Sequence, residues 1–209
     1  MSLAERGSGG RRECVGKAAL TFGRPVRAAG PRSEGSVGLR LDVQGKDRMK
    51  TLLDRILTVN LVASTSVFYA AARIYVLPRL GDWGFRGVMV PILLLHSFRH
   101  LGLMFLTRGA TYPGMPAQFA YPAALGDLLA AVLAFASLVA VVRDQRAGRV
   151  LVWVFNVEGT LDLMAAIVLA TVYDAPAYMG PAYWIPAFWV PALLVTHYIT
   201  FLVLRRDRI

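Results

Sequence analysis

The sequence predicts an all-α, polytopic membrane helix bundle, and two observations predict it. Of the 209 residues, 56% are hydrophobic and only 17% are charged, a composition too apolar for an ordinary soluble domain of this length. The apolar residues also form long blocks instead of amphipathic stripes, and a helix needs about 20 residues to cross the hydrocarbon core. Because backbone polar groups must be satisfied inside the bilayer, these blocks predict spanning helices packed in one bundle.

Five apolar blocks are long enough to span the membrane. They cover roughly residues 53–77, 87–107, 121–142, 150–172 and 183–204. The first block is the least apolar, because four polar residues interrupt it and a basic residue lies near its end: Asn60, Ser64, Thr65, Ser66 and Arg73. We therefore predict five transmembrane helices. The alternative is four helices and an interfacial first segment.

The segment before the first block has a different composition. Residues 1–48 are rich in Gly, Arg, Ser and Ala and contain neither helical periodicity nor the apolar run of a signal peptide. This composition is typical of a disordered basic tail, which leaves residues 49–209 as one integral membrane domain. Met49 and Lys50, followed directly by the first apolar block, also resemble a natural start. Translation beginning at Met49 is therefore an alternative to a translated tail.

The net charge of +10 is distributed in a way that predicts membrane topology and not nucleic-acid binding. Ten of the 23 Lys and Arg residues lie within 1–48, and most of the others lie near the ends of the apolar blocks. Such positions suit contact with the bilayer and its headgroups. If the chain crosses the membrane five times, the loops richer in arginine lie on the same side of the membrane as the C-terminus. The positive-inside rule then predicts a bacterial-type inner membrane protein with a cytoplasmic C-terminus and the N-terminus outside.

Two loops predicted to lie outside are rich in Pro, Met and aromatic residues. They cover residues 107–123 and 173–187. Aromatic residues at this position are typical of the belt at the membrane–water interface. A lid over a lipid-like ligand is the alternative interpretation.

Ionisable residues inside the apolar blocks mark the candidate functional site. An ionisable residue in a membrane helix is costly, so it is a functional-site candidate by default. All three histidines lie in such blocks, together with one arginine and three carboxylates: His96, His100, His197, Arg99, Asp127, Glu158 and Asp162.

Counting along the predicted spans groups these residues by depth. His96, His197 and Glu158 fall within about one helical turn of each other, and we predict that they form a site for a metal ion or protons. Two imidazoles and a carboxylate form a ligand set used by zinc and by non-haem iron, whereas histidine titrates near neutral pH and suits proton transfer. Haem ligation through the two histidines is disfavoured, because a carboxylate at the same depth would press against the macrocycle.

The other four ionisable residues form a predicted supporting charge network. Arg99 must be paired because a guanidinium stays charged, and Asp162 or Asp127 is its expected partner. The spacing of His100 from Arg99 and the preceding histidine places all three on one helical face. With Glu158, three carboxylates face one arginine, so the site carries a formal charge of −2 unless cations or protons offset it.

These features predict the place of the chemistry and leave the reaction open. The leading hypothesis is an intramembrane site for a metal ion or protons. The alternatives are a proton-coupled small-molecule transporter working as an oligomer, and a structural or accessory subunit in which the polar residues only fasten helices. Expected partners are the lipid bilayer and either a second copy or another membrane subunit, with no nucleic acid. Asn156 lies on another side of its helix from Glu158 and is expected to be a packing residue.

Overall fold

A computed structural model of the protein describes residue 52 and residues 55–206. The predicted tail, residues 1–48, and the alternative start at Met49 lie outside the described residues. Within the described part every regular element is helical, and an isolated bridge between Arg108 and Thr111 is the one β-type pairing.

The first half of the described chain is one long helical stretch. Helix α1 covers 55–71 and continues through short π-helical and 3₁₀ turns into α2, Leu80–Ser97. Gly84 breaks α2, since its φ of 62° and ψ of 172° lie in a region that only glycine adopts readily. After α2 the chain tightens into nine residues of 3₁₀ helix, Phe98–Leu106.

Three further helices complete the bundle. Helix α3 covers Ala117–Val142 and α4 covers Gly148–Val172. Short helical turns between 175 and 189 then lead into α5, Val190–Arg206.

Within residues 55–206, four helical stretches are long and apolar enough to cross a membrane. They are Arg55–Leu106, Ala117–Val142, Gly148–Val172 and Gly180–Arg206. The predicted class, an all-α membrane bundle, agrees with this, and the last three predicted spans match their stretches to within a few residues. The predicted number of five is not confirmed, because the first two predicted blocks fall within one continuous stretch of 52 residues.

Helix α3 lies at the centre of the described bundle. It packs most extensively against α4, against the 3₁₀ segment and against α2. A stripe of small side chains makes this close approach possible, and all of its members are buried: Ala123, Ala130, Ala134 and Ser137. Asp127 lies on the same stripe, and it is only 9% exposed.

Helix α1 packs at the edge of the bundle. None of residues 55–71 is fully buried. Its half-buried face includes three of the polar residues that weakened the sequence prediction, Asn60, Ser64 and Thr65. The Asn60 amide donates a hydrogen bond to the Tyr183 hydroxyl at 3.2 Å. Most of the polar interruptions of this block therefore face protein, and Ser66 is exposed.

The two Pro-rich loops meet at one end of the bundle. The Tyr112 amide donates to the Tyr178 carbonyl at 2.8 Å, and the Ala182 amide donates to the Ala110 carbonyl at 2.9 Å. We call residues 107–116 and 173–189 the cap. Because backbone hydrogen bonds join its two parts, the cap is a structured unit and not two independent loops.

The other end of the bundle carries arginine side chains. The Arg149 guanidinium lies over the Phe85 ring, 5.0 Å from its centroid. The Arg206 guanidinium comes near Gly81. These contacts bring the starts of α2 and α4 and the end of α5 together at a basic end, opposite the cap.

Candidate functional site

Arg99 is the centre of a buried charge cluster. Its side chain has no exposed surface. Its Nε donates to Asp127 Oδ1 at 2.8 Å, and its Nη2 donates to Asp162 Oδ2. Its Nη1 donates to the Gly159 carbonyl at 3.2 Å. The sequence predicted either aspartate as the partner; the structure gives Arg99 both, one from α3 and one from α4.

The position of Arg99 follows from the 3₁₀ segment in which it lies. A 3₁₀ helix turns by about 120° per residue, so neighbouring residues face more widely separated directions than they do in an α-helix. Arg99 faces the bundle, and His100 faces outward with its Nδ1 2.9 Å from the Ser97 carbonyl oxygen. The structure therefore does not bring His100 into the cluster with which the α-helical spacing grouped it.

Three glycines make room for the cluster, one in the 3₁₀ segment, one in α3 and one in α4. A Cβ at Gly102 would lie 2.6 Å from Cβ of Asp127, and a Cβ at Gly126 would lie 2.5 Å from Cγ of Asp162. At Gly159 a Cβ would lie 2.7 Å from Nη1 of Arg99. Real Cβ atoms essentially never approach so closely. Each glycine thus lets an ionic side chain from another element lie directly against its helix backbone.

His197 of α5 extends the cluster and is held by Asn156 of α4. Its Nδ1 lies 2.7 Å from Asn156 Oδ1, and the Asn156 amide donates to the His197 carbonyl at 3.4 Å. Its Nε2 lies 3.5 Å from Nη1 of Arg99. Because a guanidinium can only donate, we assign the proton of a neutral His197 to Nδ1, where the Asn156 oxygen accepts it.

His96 of α2 lies beside His197 but carries the opposite tautomer. The two ring centroids are 4.3 Å apart, and Phe155 packs against both rings. Nε2 of His96 lies 2.8 Å from the Thr196 hydroxyl, which already donates to carbonyls of its own helix. We therefore assign the His96 proton to Nε2. Its Nδ1 is buried and finds no partner within the described part of the chain.

Glu158 is the third carboxylate of this region. It is half-buried on α4, and its Oε2 is buried without a hydrogen-bond partner among the described residues. It lies close enough to Arg99 and Asp127 to interact with their charges. The structure thus groups six of the seven predicted site residues in the region of one buried arginine.

The donor atoms are not arranged as a metal site. In the described part of the chain, no group of three or more His, Cys, Asp or Glu side chains could hold a metal ion. The Nε2 lone pair of His197 faces the Arg99 guanidinium, whose positive charge repels a cation. Nδ1 has no free lone pair, because it carries the ring proton in the tautomer that we assign. A zinc or iron ion bound by His96, His197 and Glu158, and a haem between the two histidines, therefore have no support from this geometry.

Sequence reasoning missed several residues that build the site. Asn156 was expected to be a packing residue, but it holds both the ring and the carbonyl of His197. Thr196, which contacts His96, gave no signal beyond its position beside a histidine. The glycines did give one: each lies within three residues of an ionisable residue in the same apolar block, as in Gly126–Asp127 and Glu158–Gly159.

Comparison with known proteins identifies a family. The family model described as Domain of unknown function (DUF8737) matches residues 56–205, a range that contains every residue of the cluster. No curated protein and no solved structure matches the chain.

Proposed function

We propose that this chain, which belongs to the DUF8737 family, binds protons at the buried cluster of Arg99, Asp127, Asp162 and Glu158. The observation that carries the proposal is the charge balance. One guanidinium pairs with two carboxylates, and a third carboxylate lies within reach of its charge. Both neighbouring histidines have the hydrogen bonds of neutral rings. Ionised carboxylates would therefore leave a charge of −2 in a medium where an uncompensated charge costs several kcal/mol.

Protons are the simplest cations that this cluster can hold. A proton on a carboxyl group removes one negative charge and needs no further ligands, whereas a metal ion needs several lone pairs directed at one point. Glu158 is the best candidate to carry the first proton. Arg99 makes direct ion pairs with the two aspartates, whereas Glu158 Oε2 has no hydrogen-bond partner among the described residues.

The histidines extend the cluster toward α2 and α5. From the two aspartates, contacts run through Arg99 to His197 and then, ring against ring, to His96. Arginine cannot release a proton, so this row of groups does not conduct protons in one step. Its role in the proposal is to hold the charges in fixed positions while a carboxyl group gains or loses a proton.

Infrared spectroscopy tests the proposal directly. A protonated carboxyl group has a C=O stretching band distinct from the bands of a carboxylate. We expect the purified protein in lipid to show this band at neutral pH, and Glu158→Gln to remove or weaken it. The matched control is Asp82→Asn, because Asp82 is an exposed carboxylate outside the cluster and its replacement should leave the band unchanged.

Two results would contradict the proposal. One is a spectrum without a protonated carboxyl band at neutral pH. The other is stoichiometric metal in the purified protein that is lost in Glu158→Gln, since a metal ion would then balance the charge. Elemental analysis of the same samples detects that case.

A structural role is the second candidate function, and the connections of Arg99 favour it. Hydrogen bonds from this one side chain reach α3, α4 and α5. Polar contacts between membrane helices contribute on the order of 1 kcal/mol each. A cluster that only fastens helices needs no protonated carboxyl group. It should therefore contribute to the free energy of unfolding and show no protonated carboxyl band in the same infrared experiment.

The proposal includes a placement in the membrane. Gly84 divides the long first stretch into two parts, and 52 residues are more than twice the length needed for one crossing; both observations support five spans. The arginines at the basic end support a cytoplasmic location for that end in a bacterial-type inner membrane, with the cap outside. Five short helices are few for a carrier, so proton-coupled transport by this chain would require a homo-oligomer or a partner subunit.

A further inference from the structure

A wide cavity lies at the cap end of the bundle. It has a volume of about 850 Å³ and lies between the cap loop 107–116 and the start of α3. We call it the basin. Arg108 is the only charged residue among its described lining, and Tyr112 and Tyr121 add hydroxyl groups. Part of it is lined by Pro181, so both halves of the cap contribute to its walls.

A second, much smaller cavity lies deeper, between α1, α3, α4 and the start of α5. Its volume is about 80 Å³, and most of its lining is apolar. We call it the inner cavity. Asp127 is the only ionisable residue among its described lining, and Thr58 and Thr171 are the other polar ones. Asp127, which pairs with Arg99, therefore also borders this cavity.

One aromatic residue lies where the linings of the two cavities meet. Phe105 lines both the basin and the inner cavity. It packs edge-on against Phe119, with ring centroids 5.2 Å apart, and the two residues are 5% and 2% exposed. Phe105 is the last buried residue of the 3₁₀ segment that carries Arg99.

We propose that the inner cavity is a site for water and protons beside Asp127, reached from the basin, and that the Phe105 ring is the gate between the two. The volume is enough for a few water molecules, and the Asp127 carboxylate and the Thr171 hydroxyl oxygen are able to accept hydrogen bonds from them. With the ring in place, an apolar wall separates the carboxylate from the cap end. Rotation of the ring opens a direct route. The inference rests on the proposed function, because it gives the proton site its direction of access.

Thiol labelling tests the gate without relying on proton binding. Cys14 is first replaced by Ser, since it is the only cysteine. Ala123, which lines the inner cavity and is 2% exposed, is then changed to Cys, with and without Phe105→Ala. The full-length protein in nanodiscs is treated with a charged, membrane-impermeant methanethiosulfonate, and the labelling rate is measured by mass spectrometry. If the open state is a minor one, populated at about 10% or less, Phe105→Ala should raise the rate about tenfold or more.

Two further cysteines control the experiment. Ala117→Cys lies in the basin and is exposed, so it should be labelled equally fast with either residue at position 105. Ala130→Cys is buried on the same helix and lines neither cavity, so it should stay unlabelled. Phe105→Leu keeps the packing apolar with a smaller side chain and should give an intermediate rate if Phe105→Ala does not fold.

The labelling pattern decides the inference. Equal rates at Ala123→Cys with and without Phe105 would show that the ring is no barrier and would overturn it. A parallel rise at Ala130→Cys would mean general loosening of the bundle and would overturn it as well. Failure of the proton proposal is detected separately, because it changes the infrared band of the Glu158 carboxyl and leaves these rates unaffected.

Discussion

Replacing Gly159 by alanine is the sharpest perturbation of the cluster, because it adds one methyl group and removes no polar atom. That methyl carbon would lie 2.7 Å from Nη1 of Arg99 and 2.8 and 2.9 Å from Cε1 and Nε2 of His197. Ordinary contacts of a Cβ lie at 3.4–4 Å. Arg99 and His197 would both have to retreat by more than half an ångström, and Arg99 would then lose its bond to the Gly159 carbonyl.

The expected loss of stability follows from these contacts. Overpacking in a tightly packed core costs about 1–3 kcal/mol. A weakened hydrogen bond to a charged group adds about 1.5–3 kcal/mol. Against this, alanine is favoured over glycine in a helix by about 1 kcal/mol. We expect Gly159→Ala to lower the free energy of unfolding by about 2–5 kcal/mol.

Unfolding in mixed detergent micelles, followed by circular dichroism and tryptophan fluorescence, measures this loss. Gly81→Ala is the matched control: it lies in a helix, and the nearest atom to its added methyl is Nη2 of Arg206 at 3.9 Å. Its free energy of unfolding should stay within about 0.5 kcal/mol of wild type or rise. If Gly159→Ala is as stable as Gly81→Ala, then the close packing of Arg99 against α4 does not exist in the folded protein and the reasoning is refuted.

Two further substitutions test the same network by removing polar groups. Arg99→Met should lower the free energy of unfolding by about 3–5 kcal/mol, because it leaves one buried and one half-buried carboxylate without their cation. Arg108→Met, at an exposed position in the cap, should change the unfolding midpoint little; equal effects would contradict a buried pairing. Asn156→Ala should lower the free energy of unfolding by about 1–3 kcal/mol, because it leaves a buried imidazole N–H without an acceptor. In the same variant, ¹⁵N NMR of the histidine rings should show a mixture of both His197 tautomers. An unchanged His197 spectrum would mean that Asn156 does not hold the ring.

The helical segments could be predicted from the sequence because their signal is local. Twenty or so consecutive apolar residues leave few alternatives to a membrane helix, and α3, α4 and the stretch ending in α5 follow the predicted blocks closely. The number of spans was harder to predict. Whether the first stretch is one helix or two depends on Gly84, and on how the two parts lie in a bilayer.

The candidate site was predictable in composition and only partly in arrangement. Counting depth along helices brought His96 and His197 to one level, and their rings do pack together. The need to pair Arg99 identified its aspartates. The face of His100 was not predictable, because the count assumed 3.6 residues per turn where the chain turns every three. The hydrogen bond between Asn156 and His197 joins residues 41 positions apart, and spacing within one helix carries no information about it.

The sequence by itself determined that this chain is a bundle of apolar helices with ionisable groups buried inside it, because the cost of exposing polar backbone to lipid restricts the choice of structure segment by segment. It also determined the surplus of carboxylates over arginine. Only the tertiary structure decided which atoms meet: both aspartates on Arg99, opposite tautomers on the two histidines, and glycines where side chains must approach a backbone. The physical reason is that hydrogen bonds and close packing act over a few ångströms between helices, whereas hydrophobicity acts along each one.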